Sequence, residues 1–235
     1  MDVAVSHSVL LAVARGETPG VLRLHVPSPV LAFGRRDRAS HGYERAVRTA
    51  RAHGFAAVER LAGGHAAVFH ENTLAFSWAI PDPEPIEGIV DRFESVASIM
   101  EEALQALGVD ARVGEVPGEY CPGRWSVNVG GRVKVMGVGQ RLVRGAAHVG
   151  GVVVVDGAER VRDVLVPVYR ALGIDWDPRT AGSLADRSPG LDNDIVAQAV
   201  IDAFSRRVNL IERDLPTGIV EHAHALAPEH LPKVA

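Results

Sequence analysis

Three segments of the chain hold residue types suited to acyl chemistry. The first is Gly118-Glu119-Tyr120-Cys121-Pro122-Gly123-Arg124, which carries the single cysteine among 235 residues. A cysteine on a loop near a cation can serve as a thiolate nucleophile, whereas a buried free cysteine is usually inert. Residue type alone leaves both readings open. The second is Gly131-Arg132-Val133-Lys134-Val135-Met136-Gly137-Val138-Gly139-Gln140-Arg141. A lysine inside an apolar strand either points to solvent or is buried with partners, since an unpaired buried ammonium is costly. Gly137 and Gly139 weaken that strand and mark places where a ligand can pass. The third is Arg60-Leu61-Ala62-Gly63-Gly64-His65-Ala66-Ala67-Val68-Phe69-His70. Gly63 and Gly64 let the backbone approach a ligand, with N–H groups that can face a carbonyl or a phosphate. A plain hairpin turn is the alternative. His65 and His70 flank the turn and could act as acid or base, or be ordinary hydrogen-bonded histidines. No further ligand cluster accompanies them, so no metal is expected.

The elements that must position these groups can be read from periodicity. Residues 22–26 alternate like a half-buried strand, and 30–33 form a buried strand closed by Gly34. Ser40 can cap a helix running to about His53, with Gly54 as its stop. Residues 56–59 make a short strand, 60–65 a turn, and 66–69 with 74–78 the two strands of a hairpin. Over 91–107, Phe93, Val96, Ile99, Met100, Leu104 and Leu107 recur at helical spacing, and Gly108 ends the run. Strands at 125–129 and 133–141 are joined by the tight turn Gly130-Gly131, and a long strand covers 146–155. Helices are expected over 158–172 and 193–212, separated by an Asp-, Pro-, Ser- and Gly-rich linker at 174–191. Hairpins dominate, which favours an α+β class over a doubly wound parallel sheet.

Composition narrows the setting. Apolar residues make up 47%, enough for a sizeable core, so residues 1–235 are expected to form one domain. The net charge is -4 with no basic tract, which argues against a nucleic-acid partner. The longest apolar stretch, 150–155, is far too short to span a bilayer, and the N-terminus has no basic start before a long apolar run. One thiol permits no intrachain disulfide and suits a reducing compartment. A cytoplasmic protein without membrane contact is the expectation.

In order and spacing the three segments resemble the biotin/lipoate A/B protein ligase family. The turn from Arg60 to Gly64 is similar to its arginine, Ser/Thr, Gly-Gly signature, and Lys134-Val135-Met136-Gly137 to its lysine-x-x-Gly strand. Pro29-Val30-Leu31-Ala32-Phe33-Gly34-Arg35 resembles its strand ending in glycine, and the likeness covers roughly residues 20–210. Tyr120-Cys121-Pro122-Gly123, Gly137-Val138-Gly139-Gln140-Arg141 and Thr180-Ala181-Gly182-Ser183-Leu184 resemble the octanoyl (lipoyl) amidotransferase branch. There are departures. Ala62 stands where a serine is usual, so a hydroxyl near the acyl group is lost. His148 and Gly150 resemble the His-Gly of ATP-dependent lipoate ligases and related octanoyltransferases.

The resemblance implies the family's catalytic-domain fold: mixed, largely antiparallel sheets packed with helices, here without a C-terminal accessory domain. It implies ping-pong transfer of an octanoyl or lipoyl group from an acylated carrier, such as glycine-cleavage H protein, to a lipoyl-domain lysine. Lipoyl domains of H protein and of the E2 subunits of 2-oxoacid dehydrogenases are the implied partners. Cys121 would carry the acyl group as a thioester, and Lys134 would activate the thiol or bind the acyl carbonyl. Arg60, Ala62, Gly63, Gly64, His65, Gly137, Val138 and Gly139 would line the substrate site. Arg60 would meet the acceptor domain or an adenylate phosphate. No cofactor is then required. The alternative is a lipoate- or biotin-protein ligase that uses ATP and Mg2+ to form an acyl-adenylate. A further alternative is a non-catalytic member of the family.

Overall fold

The protein is described here from a computed structural model covering residues 1–234. Two sheets organise it. The larger has six strands in the order β1 (Val21–His25), β5 (Thr73–Pro81), β9 (Ala146–Val154), β8 (Val133–Val143), β7 (Val127–Val129) and β6 (Ala111–Val113). Every neighbouring pair in it is antiparallel. The smaller has three strands in the order β3 (Ala56–Glu59), β2 (Val30–Phe33) and β4 (Ala67–Phe69), with β2 parallel to β3 and antiparallel to β4. The parallel pair is possible because α2 (Arg35–Arg38) and α3 (Tyr43–Ala52) carry the chain across between its strands. The fold class is the expected mixed α+β.

Each sheet has its own core. Helix α4 (Ile89–Ala106) and helix α6 (Asn193–Ser205) cover one face of the large sheet, burying Ile99, Met100, Leu104 and Phe204 against Met136 and Val153. Helix α5 (Ala158–Leu172) packs with α3 over the small sheet, where Leu165 and Tyr169 meet Leu31, Phe33 and Val47. No helix is long and apolar enough to cross a membrane.

Two expectations need correction, and three elements were not expected. The segments at 66–69 and 74–78 are not a hairpin: β4 joins the small sheet and β5 the large one, with the turn closed by Thr73 N–H and hydroxyl on the His70 carbonyl. Alternation shows which side chains are buried, not which strand is the partner. Helix α6 stops at Ser205 rather than 212, because Phe204 is its last core residue and Arg207 turns to pair with Glu102. Helix α1 (Asp2–Ala14) was not expected, because its Val, Leu, Ala and Ser residues form no apolar stripe. It is buried on several sides against β5 and the likewise unexpected α7 (Thr217–Leu226). The three-residue edge strand β6 is also new.

Leu165→Ala should lower stability by about 2–5 kcal/mol, since the side chain is fully buried between α5 and the small sheet. The shift of a chemical denaturation midpoint at unchanged m-value measures it.

Candidate active site

Strand β8 carries Lys134 into the interior, where it is only 2% exposed. Its Nζ donates to Glu119 Oε1 at 2.8 Å, the Tyr120 carbonyl at 3.0 Å and the Cys121 carbonyl at 2.8 Å. Those bonds use all three ammonium protons. Glu119 is equally well satisfied. Its Oε1 also accepts from Ser126 Oγ at 2.6 Å and Gly123 N–H at 3.2 Å, and its Oε2 from Val116 N–H at 2.9 Å. A buried ion pair persists only when its remaining lone pairs and protons find such partners. The loop before β7 is therefore wrapped around one carboxylate, and the ammonium behind it grips the backbone on either side of the thiol. In this arrangement Lys134 Nζ meets Glu119 and the Tyr120 and Cys121 carbonyls rather than the Cys121 sulfur.

Cys121 sits at φ +44°, the only non-glycine residue with positive φ among the described residues. This left-handed conformation is uncommon for a residue with a Cβ and is held here by the surrounding loop bonds. Its Sγ receives the His65 backbone N–H at 3.1 Å and Arg60 Nη2 at 3.5 Å. Those two donors can hold negative charge on sulfur when it develops. Gly64 is required by space, whereas a Cβ on Gly63 would meet nothing within 4 Å. A Cβ on Gly64 would lie 2.8 Å from Sγ and 2.4 Å from Arg60 Nη2, and Gly64 itself has φ +92°.

The turn is fastened from behind. Buried Asp37 accepts the Gly34 N–H on Oδ2 and bonds His65 Nδ1 on Oδ1, each at 2.8 Å. Tyr169 donates its hydroxyl to the Ala66 carbonyl at 3.0 Å. Gly34 abuts the Gly64 carbonyl so closely that a Cβ there would lie 1.9 Å from the oxygen. The His65 ring thus faces Asp37, and its contribution to the site is a backbone donor. His70 lies apart, fully buried, with its Nδ1 accepting from Asn72 N–H.

The structure brings Arg60, Gly63, Gly64, Cys121, Lys134 and the run Gly137-Val138-Gly139 around one cleft between the sheets. Ala62 lies just behind, its methyl 2.8 Å from where a Gly139 Cβ would stand. Sequence reasoning missed the roles of Glu119, Asp37 and Tyr169. Glu119 had a visible signal, a carboxylate two residues from the cysteine, whereas Asp37 and Tyr169 reach the site only through the fold.

A second cavity adjoins the cleft and shares Arg60, Phe69 and Gly151 with it. Val30, Ala32, Val58, Leu61 and Ala75 give it an aliphatic wall, while His25, His148, Ser6 and Ser77 supply polar groups. Burial, reinforced by nearby His7, pushes His148 down to about 4. Burial and Arg23 do the same for His25, also to about 4, against the opposing pull of Asp2. Among the described residues no three His, Cys, Asp or Glu side chains are grouped to hold a metal ion.

Comparison with known proteins places this geometry. The family model for the lipoyl protein ligase A/B catalytic domain matches residues 1–205. An octanoyl-(GcvH):protein N-octanoyltransferase of Geobacillus kaustophilus is 29% identical over 170 residues, 72% of this chain and 60% of the relative. One from Oceanobacillus iheyensis is 28% identical over 228 residues, covering 93% and 78%. The chain thus spans less than two thirds of the Geobacillus relative's length. A Thermoplasma acidophilum lipoate protein ligase solved with bound lipoic acid shares the fold, with a TM-score of 0.74 at 18% identity over 96% of this chain and 90% of the other.

Two outcomes follow from the site's electrostatics. Glu119→Ala should cost about 3–5 kcal/mol of stability, because it leaves a buried ammonium unpaired. Glu94→Ala, which breaks an exposed pair with Arg124, should cost about 0–1 kcal/mol. Denaturation of both variants checks the contrast. His148 is neutral in the fold, so between its ordinary 6.5 and about 4 the unfolded chain binds the extra proton. Stability should therefore fall as pH drops through that window, by on the order of 3 kcal/mol for this group. His148→Leu should flatten the stability–pH curve there.

Proposed function

Because the chain belongs to the lipoyl protein ligase A/B catalytic-domain family, we propose that it is an acyltransferase working through a thioester on Cys121. It takes an octanoyl or lipoyl group from the lysine amide of an acylated carrier, such as glycine-cleavage H protein. It then delivers that group to a lysine of another lipoyl domain, including those of E2 subunits. The observation that carries this reading is the setting of Cys121 Sγ. It stands in a strained backbone, under an amide N–H and a guanidinium, at a cleft that adjoins an aliphatic cavity. The names of the Geobacillus and Oceanobacillus relatives support the substrate class.

In the first half-reaction, sulfur attacks the acyl carbonyl and the carbon–nitrogen bond breaks. The thiol proton leaves with the lysine amine of the donor. In the second, the acceptor lysine attacks the thioester and returns a proton to sulfur. Arg60 borders both the cleft and the tail cavity, and its Nε has no partner among the described residues. It is placed to hold the carbonyl oxygen as charge gathers there. Donors of that kind are worth roughly 10²–10³ in kcat. The methylenes of the tail contribute binding at about 0.8 kcal/mol each when buried. Lys134 works indirectly, keeping the Cys121 loop in register through Glu119 and two carbonyls. No nucleotide or metal takes part in this scheme, and the protein acts in the cytoplasm.

Intact mass after incubation with octanoyl-H protein tests the proposal. A mass increment of one octanoyl group, removed by hydroxylamine and absent in Cys121→Ser, is expected, with transfer to a lipoyl domain needing no ATP. Transfer that survives Cys121→Ser and requires ATP and Mg2+ would replace the thioester route with an acyl-adenylate. A folded protein showing no transfer under either condition would mark a non-catalytic member.

A further inference from the structure

The guanidinium of Arg60 reaches the thiol, yet Arg60 follows directly on the open edge of a sheet. Strand β3 is an outer strand of the small sheet, so its outward-facing backbone groups have no neighbouring strand to pair with. The peptide unit joining Glu59 to Arg60 is nonetheless bonded on both sides. Its N–H donates inward to the Phe33 carbonyl of β2 at 2.9 Å. A trans peptide then directs its carbonyl outward, where His230 Nδ1 meets it at 3.0 Å. A carbonyl can only accept, so the proton of that bond sits on Nδ1. The Glu59 carboxylate is engaged separately, by the Tyr43 hydroxyl at 3.1 Å and Arg38 Nη1 at 2.6 Å. Those bonds hold the side chain, whereas the ring of His230 fixes the outer edge of the peptide plane.

His230 comes from the far end of the chain, 171 residues from Glu59. It closes a short 3-10 turn (Ala227–His230) that follows α7, and it is buried. Residues 217–230 lie beyond the stretch matched by the family model, so the likeness assigns them no role. The other ring nitrogen of His230, Nε2, meets His7 Nδ1 of α1 at 3.1 Å, with the two rings edge to face. Helix α1 is itself anchored. Ser8 Oγ donates to the Ile219 carbonyl of α7 at 2.9 Å, and Leu10, Val13, Ala223 and Leu226 share a core. The His230 ring is thus backed by two packed helices and presents one donor to one edge carbonyl. Exchange of that bond for water frees the outer edge of the 59–60 peptide, and the displacement passes straight to Arg60. Small displacements of a group that must meet reacting atoms cost rate out of proportion to stability.

We propose that His230 is a positioning residue for Arg60: by bonding the Glu59 carbonyl at the sheet edge, it holds the guanidinium at Cys121 Sγ. The inference rests on the acyl-transfer reading for its effect on turnover, and the reactivity of the thiol tests it separately. Cys121 is the only cysteine, so the rate at which iodoacetamide alkylates the full chain reads that sulfur alone. The thiolate is the species alkylated, and a guanidinium beside it favours that form. The amide nitrogen of an asparagine can stand in for Nδ1, whereas a glutamine extends toward the place of Nε2. His230→Asn should therefore alkylate at close to the wild-type rate. His230→Gln and His230→Ala should be several-fold slower, as Arg60→Ala is. In those two His230 variants kcat for octanoyl transfer should fall on the order of tenfold, with KM for the H protein little changed. Denaturation midpoints should drop in His230→Asn as well as His230→Ala, which separates positioning from stability. In the wild-type protein, long-range 1H–15N spectra should show a proton on His230 Nδ1. A ring protonated only on Nε2 would overturn the proposal, whether or not the variants fold. So would wild-type alkylation rates in the Gln and Ala variants, or slowing of the Asn variant to the level of Ala. The expected alkylation pattern in a chain that transfers no acyl group would count against the acyltransferase reading alone.

Discussion

The buried pair of Lys134 and Glu119 is the interaction on which the site depends. Two opposite charges have been taken out of water, and the cost is offset only because nearly every lone pair and proton is used. The partners of that pair are the backbone groups of the cysteine loop. Its geometry is therefore not a by-product of packing but a condition for keeping two charges buried. The left-handed backbone at Cys121 follows from it, since Lys134 holds the carbonyls of residues 120 and 121 together while Glu119 ties down Gly123. A strained conformation survives where the surroundings over-determine it.

The second half of the site comes from the other sheet. The Gly63-Gly64 turn leaves the small sheet between β3 and β4 and passes directly over the thiol. Asp37, just after β2, reaches this turn through His65 and reaches its own strand end through Gly34. The thiol and the groups that donate to it thus belong to different sheets, and the cleft is the seam between them. Such a seam needs backbones that approach closely. At Gly151 a Cβ would lie 1.9 Å from the Gly137 carbonyl and 2.9 Å from the Phe76 ring.

This division also explains why the two cationic side chains have different tasks. Lys134 was the natural candidate to face the thiol, yet its compact ammonium is surrounded by oxygen acceptors and positions the loop. Arg60, at the exit of β3, has a planar fork that reaches the sulfur with one nitrogen while another remains without a partner. The family likeness named the residues around the cleft, but physical contact assigns the work among them.

Much of the architecture was legible in the chain itself. Helical spacing in α4 and the Gly-bounded limits of α5 are local properties, set by side-chain periodicity and by glycine's tolerance of left-handed backbone. Gly63, Gly64, Cys121 and Lys134 stood out because each residue type is unusual in its local setting. The partners were not legible, because pairing is decided between segments far apart in sequence. Nothing in residues 66–78 says that β4 and β5 join different sheets. Nothing in α1 marks a helix whose apolar surface is buried on several sides. The bonds from Asp37 to His65 and from Tyr169 to the Ala66 carbonyl exist only because folding brings those groups within hydrogen-bond distance. Sequence by itself determined which groups were chemically capable, through local propensity and residue type. Tertiary structure decided which of them meet, because burial and hydrogen bonding are settled by distance in space.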